Sequence, residues 1–110
     1  MTEGSLREPT FLILTALAAG AQHGYGIMTD VAEISGGRVR LRAGSLYAAL
    51  NRLVMERLVE FDREEIVDGR LRRYYRLTPS GAERLAVEVD RLSRTTAVAR
   101  RRLKLLSEPA

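Results

Sequence analysis

The residues best equipped for chemistry in this 110-residue sequence are its arginines. All but one of its 18 basic residues are Arg, Lys104 being the exception. A guanidinium is a planar fork of donors that matches a phosphate, or the edge of guanine, with two hydrogen bonds. Arg38, Arg40 and Arg42 alternate with other residues, so an extended segment puts all three on one side. Arg70, Arg72 and Arg76 alternate in the same way, with Arg73 beside them. Between these groups lies Gly44-Ser45-Leu46-Tyr47-Ala48-Ala49-Leu50-Asn51-Arg52. As a helix, it turns Ser45, Ala48, Asn51 and Arg52 to one face. Gly44, Ser45 and Ala48 are small enough for close approach to a duplex. Ser45 can donate to a phosphate or a base. Asn51 can pair with adenine, and Arg52 with guanine or a phosphate. Arg42 is placed to grip the backbone just before the helix. Tyr47 lies at the edge of the face with its hydroxyl available for a phosphate, or else half-buried on the preceding helix.

Nothing comparable exists for catalysis. There is no cysteine, and His23 is the only histidine, so thiolate chemistry and the usual zinc sites are excluded. No Ser/His/Asp set, paired carboxylates or phosphate-cradling glycine loop can be assembled. Gly24-x-Gly26 follows a helix rather than a strand, and His23 reads as a turn residue. No enzyme activity, metal or cofactor is expected. No apolar run reaches membrane-span length, and the Phe11–Ala19 stretch lacks a basic lead-in. No membrane partner and a cytoplasmic location are therefore expected.

The net charge of +4 is unevenly spread. Residues 1–37 carry −3, residues 38–77 carry +4 and residues 78–110 carry +3. A basic middle and tail suit an anionic partner, with a solvated basic face as the plain alternative.

The elements that must position these residues follow from periodicity. Residues 1–8 are polar and expected to fray. A helix over about 9–19 is apolar on nearly every side, so it should be buried both in its own domain and against a partner. After a turn at 21–24, a helix over about 25–35 carries Ile27, Val31 and Ile34 on one face. Residues 38–42 read as extended. A third helix begins near Ser45, with Leu46, Leu50 and Leu53 inward. Residues 58–63 and 70–77 read as strands, with Val59 and Phe61 inward and Asp68-Gly69 as the hairpin turn. Thr78 and Pro79 open a final helix that runs to about Leu106. Its Ala82, Leu85, Val89, Leu92, Thr96, Ala99, Leu103 and Leu106 form a heptad seam. A helix of that length, roughly 40 Å, outruns a single small domain, and a symmetry mate is the simplest cover. The fold class expected is mainly α with a β-hairpin wing: a winged helix-turn-helix over 9–78 and a C-terminal dimerisation helix over 79–106. Helix 1 contributes Phe11 and Leu14 to the dimer interface. The final helix contributes Leu85, Val89, Leu92, Ala99, Leu103 and Leu106.

Three strings in this order carry a resemblance: His23-Gly24-Tyr25-Gly26-Ile27, then Gly44-Ser45-Leu46-Tyr47-Ala48-Ala49-Leu50-Asn51-Arg52-Leu53, then Arg73-Tyr74-Tyr75-Arg76-Leu77-Thr78-Pro79-Ser80-Gly81. Together they resemble the PadR family of transcriptional regulators, in its smaller subfamily with a single C-terminal helix. The resemblance implies a homodimer on double-stranded DNA at a two-fold operator, acting as a repressor. It also implies release by a small molecule, commonly aromatic or cationic, in the dimer cleft. Tyr25, Ser45, Tyr47, Asn51 and Arg52 would face DNA, with Arg70, Arg72 and Arg73 on the wing. The chain departs from the family pattern at Ala43 and Ala48, where proline is usual, and at Arg57, where glycine is frequent. A positive φ at Arg57 would be strained, and an adjusted turn is expected instead. A winged-helix ligand-sensing or protein-interaction module without DNA binding is the rival reading, opposed by the basic surface.

Overall fold

The computed structural model describes residues 4–109. In chain order the elements are α1 (Glu8–Ala18), β1 (Gln22–His23), α2 (Gly24–Ile34), α3 (Ala43–Met55), β2 (Val59–Val67), β3 (Arg70–Leu77) and α4 (Pro79–Ser107). Helix α1 is central and touches α2, α4 and β3. The core joins Leu12, Ile13, Leu14, Ala16 and Leu17 of α1 to Ile27 and Val31 of α2 and Leu46, Leu50 and Leu53 of α3. Val59 and Tyr75 close it from the base of the sheet. The architecture is mainly α with a β2–β3 wing and a long C-terminal helix.

The expected hairpin turn is present. Asp68 and Gly69 have φ of 52° and 76°, the pair of positive values that a two-residue turn matched to strand twist requires. Several local readings change. Residues 22–23 are a short strand rather than a turn: β1 adds to the free edge of β3, giving the order β1-β3-β2. Residues 39–42 join no strand, and Arg42, with φ of −92° and ψ of 156°, is extended as read. Helix α3 begins two residues early, and β2 continues to Val67. Phe61 is largely exposed, as is Ile34 at the end of α2. Phe61 opposes Tyr75 edge-on at 6.1 Å between ring centres, but a register shift follows it, with Arg63 opposite Tyr74. Asp62 is the extra residue of this bulge, left out of the ladder with β3.

Of the residues expected to fray, 1–3 lie outside the described stretch, and 4–7 make contacts with the rest of the chain. Leu6 packs on the core, and the Gly4 carbonyl accepts from Arg84 of α4. Arg84 also pairs with Glu88 at 3.5 Å, and both are buried. Arg91, the Leu6 backbone amide and Arg84 hold the Glu88 carboxyl below the usual carboxylate range. This polar strip on α4 lies off the heptad seam, so apolar spacing gives no hint of it.

The joint between α3 and α4 explains two motifs at once. Arg57 has φ of 62°, so the turn has not adjusted to the missing glycine. The Arg57 and Leu58 amides donate to the Val54 and Leu53 carbonyls, the paired bonds of a Schellman ending whose left-handed residue is usually glycine. The Thr78 hydroxyl donates to the Arg57 carbonyl at 2.7 Å and accepts from the Gly81 amide at 2.9 Å. One side chain thus caps α4 and ties it to the end of α3. An Arg57→Gly chain is expected to gain roughly 0.5–1 kcal/mol, the left-handed penalty less glycine's extra unfolded entropy. A urea melt checks this; a lower midpoint would show that the Arg57 side chain holds something the backbone does not.

Candidate nucleic-acid interface

Helix α3 presents the face its spacing predicts. Leu46, Leu50 and Leu53 are buried, while Gly44, Ser45, Ala48, Asn51 and Arg52 are exposed. No side chain caps its first turn, so the leading amides are free to face an anion. A Cβ on Gly44 would meet open space. Arg42 occupies the cap position and is exposed.

Tyr47 and the N-terminus of α2 are fitted to each other. A Cβ on Gly24 would sit 2.3 Å from the Tyr47 hydroxyl oxygen. The ring is therefore lodged on α2 while remaining 41% exposed. Tyr47 thus packs on α2, as one of its two sequence readings had it, while its ring stays partly open. Tyr25 beside it is 73% exposed. These tyrosines and His23 form one wall of a cleft of about 430 Å³ whose other wall is Arg70, Leu71, Arg72 and Arg73 of β3. The His23 ring meets that of Tyr74 at a tilt of 59°, with 5.3 Å between their centres. Burial, then the nearby Arg72 charge, hold its imidazole below the ordinary value, with Glu65 opposing.

The arginines divide by whether the fold already engages them. Arg63 bonds to Asp62 at 2.6 Å and Glu65 at 2.8 Å, and lies 4.1 Å above the Tyr74 ring. Arg76 bonds to Glu60 at 2.7 Å and Asp62 at 3.0 Å. Arg73 lies 3.6 Å from Glu64, and Arg38 pairs with Glu8. Arg52 donates to the Thr10 hydroxyl of α1 at 3.1 Å, so part of its fork secures α3 to α1. Among the described residues, Arg40, Arg42, Arg70 and Arg72 have no carboxylate within 4.0 Å. Charge counting along the chain could not separate these four, because pairs such as Arg38–Glu8, Arg73–Glu64 and Arg76–Glu60 join residues distant in sequence.

One expected interface residue is corrected. Leu14 has no exposed surface at all and belongs to the subunit core. Leu85 packs partly against the same core and lines an open groove with Val89. Phe11 does remain open, in a groove with Val89, Leu92, Thr96 and Arg100. From Val98 onward every described residue of α4 is exposed, Ala99, Leu103 and Leu106 included.

Residues 13–87 match the family model of the PadR-like transcriptional regulators. The chain belongs to that family. This PadR-like chain is 43% identical over 83 residues to a 37.1 kDa protein of transposon Tn4556 from Streptomyces fradiae. The match covers 76% of the chain and only 22% of that longer relative. A PadR-family regulator from Clostridium difficile superposes with a TM-score of 0.75 at 25% identity, covering 88% of this chain and 99% of that one. Bacillus subtilis PadR, solved in complex with operator DNA, superposes with a TM-score of 0.67 at 27% identity. That match covers 76% of this chain and 47% of the B. subtilis protein. Among the described residues, no helix is long and apolar enough to cross a membrane, and no group of three or more acidic or His side chains could hold a metal. The signal that sequence reasoning missed is the Arg52–Thr10 bond. The packing of Tyr47 on α2 was one of its two readings, and the structure adds Gly24 as the residue it meets.

Proposed function

We propose that this PadR-family chain is a sequence-specific, ligand-responsive repressor that acts as a homodimer on a pseudo-palindromic operator. One observation carries the DNA reading: four arginines that no carboxylate engages, Arg40, Arg42, Arg70 and Arg72, lie on the segment before α3 and on the wing across the cleft from Tyr25 and Tyr47, beside the uncapped, exposed N-terminal face of α3. That helix fits the major groove with Ser45, Ala48 and Asn51 toward the bases, while Tyr25 and Tyr47 lie level with the phosphates. The exposed seam of α4, with Val89, Leu92, Ala99, Leu103 and Leu106, pairs with its symmetry mate. The two copies of α3 then address half-sites about 10 bp apart, or a multiple of that. The groove beside Phe11 lies at this interface and suits a small effector. Arg100 on its rim favours an aromatic or anionic molecule over a cationic one. Bound effector favours a dimer geometry whose recognition helices no longer match the operator spacing.

Fluorescence anisotropy across a salt series, with the gene's upstream DNA and a scrambled duplex, tests the reading. Tight binding to the first and weak, steeply salt-dependent binding to the second is expected. Asn51→Ala should weaken specific binding by about 1–3 kcal/mol and relax the preference at one base. Arg42→Ala should weaken both duplexes and lower the salt slope by about 1. If neither variant differs from the parent, α3 is not the reading helix.

A further inference from the structure

A second opening lies between α2 and the segment that leads into α3, and it shares no residue with the groove beside Phe11. It encloses about 510 Å³, within the range of small-molecule sites. From Tyr25 to Glu33 it follows α2 for roughly 12 Å. Met28 and Leu41, both packed on the core, form an apolar floor with Ala32. The opposite rim is held by its own backbone. Gly36 and Gly37 have φ of 64° and 82°, and the Gly37 amide donates to the Ala32 carbonyl at 2.7 Å. The Val39 amide donates to the Ser35 hydroxyl oxygen at 2.9 Å. Arg40 lies against this rim: a Cβ on Gly37 would be 3.1 Å from its Nη2.

Two opposite charges line the opening without neutralising each other. Among the described residues, neither Arg40 nor Glu33 has an oppositely charged group within 4.0 Å. Glu33 stands in the last turn of α2, which has no basic residue, and the carbonyl end of a helix favours positive charge. The end of α2 thus favours a cation, and Arg40 beside it an anion.

We infer that this opening binds a free α-amino acid with a large apolar side chain. The ammonium sits at Glu33 and the carbonyl end of α2. The carboxylate takes the Arg40 fork in two hydrogen bonds. The side chain lies on Met28, Ala32 and Leu41, toward Tyr25. A molecule with only one of the two charges leaves the other protein charge unmet. Arg40 is also among the arginines proposed for phosphate, so a bound amino acid should weaken DNA binding. That consequence rests on the DNA reading above, whereas the site does not.

Titrations of the isotope-labelled full chain with L-phenylalanine and L-leucine, without DNA and followed by amide NMR, test the site. The Gly36, Gly37 and Arg40 amides should shift together and saturate, while those of Ser93 and Thr96 in the Phe11 groove stay in place. Phenylpropanoate, which lacks the ammonium, and phenethylamine, which lacks the carboxylate, should each bind about tenfold more weakly than L-phenylalanine. Arg40→Gln should erase the advantage of L-phenylalanine over the amine, and Glu33→Gln its advantage over the acid. Both residues are exposed, so both variants should keep the parental amide spectrum elsewhere. No saturable shift at Gly36 and Gly37 with either amino acid up to about 10 mM, well above a millimolar Kd, overturns the inference. So do equal affinities for L-phenylalanine, the acid and the amine, or affinities that neither variant changes.

Discussion

A Leu103→Glu chain is expected to run as a folded monomer and to lose operator DNA. Leu103 is exposed in the single subunit, and every described residue from Val98 on is exposed as well. The substitution therefore removes no contact within the subunit, and helical circular dichroism should be retained. In a paired seam, each Glu would be desolvated opposite apolar side chains and near its own symmetry copy. Burying an unpaired charge is among the few single changes that cost more than about 3 kcal/mol. A monomer engages one half-site and forfeits the effective concentration that links two. Such a loss is on the order of 100-fold or more. Light scattering with anisotropy on one sample separates the steps. An intact dimer would remove the seam from the interface. A monomer with parental affinity would mean that one α3 is sufficient for recognition.

A Gly81→Ala chain is expected to lose about 3 kcal/mol of stability. An added Cβ would lie 2.0 Å from the Leu58 carbonyl oxygen and 2.8 Å from Leu77 Cδ1. The second obstacle is the end of a side chain and can turn aside. The first is backbone, fixed by the Thr78 amide, which donates to that same carbonyl at 3.1 Å. Relief requires the first turn of α4 to lift away from the end of α3. Alanine's helix preference, about 1 kcal/mol over glycine, offsets part of this loss. Against a typical total of about 5–15 kcal/mol, the remainder is large. Gly44→Ala is the control, since nothing lies within 4 Å of its added Cβ. Urea melts should show a clear drop for Gly81→Ala and little change for Gly44→Ala. Matching midpoints would mean that α3 and α4 are not so closely joined.

Much of the architecture was legible in the sequence because its signals are local. The inward face of α3 follows from the spacing of Leu46, Leu50 and Leu53. The wing turn follows from Asp68-Gly69, and the start of α4 from Thr78-Pro79. Each reflects a backbone preference or a period that neighbouring residues settle among themselves. The basic balance of residues 38–77 was equally plain, and it pointed to an anionic partner.

Tertiary structure decided which of those residues are available. Arg73 and Arg76 are matched to carboxylates by the β2–β3 register, which includes a shift at Asp62 that no period signals. Arg70 and Arg72, on the same strand, are left without such partners. Leu14 and Leu103 are both apolar residues on helices, yet one is enclosed by its own subunit and the other stands clear of it. Arg57 keeps a conformation unfavourable to its side chain because the turn it closes also anchors α4. Composition and period determine what a segment becomes. Burial and ion pairing depend on segments distant in sequence, which only the packed chain brings within a few ångströms of one another.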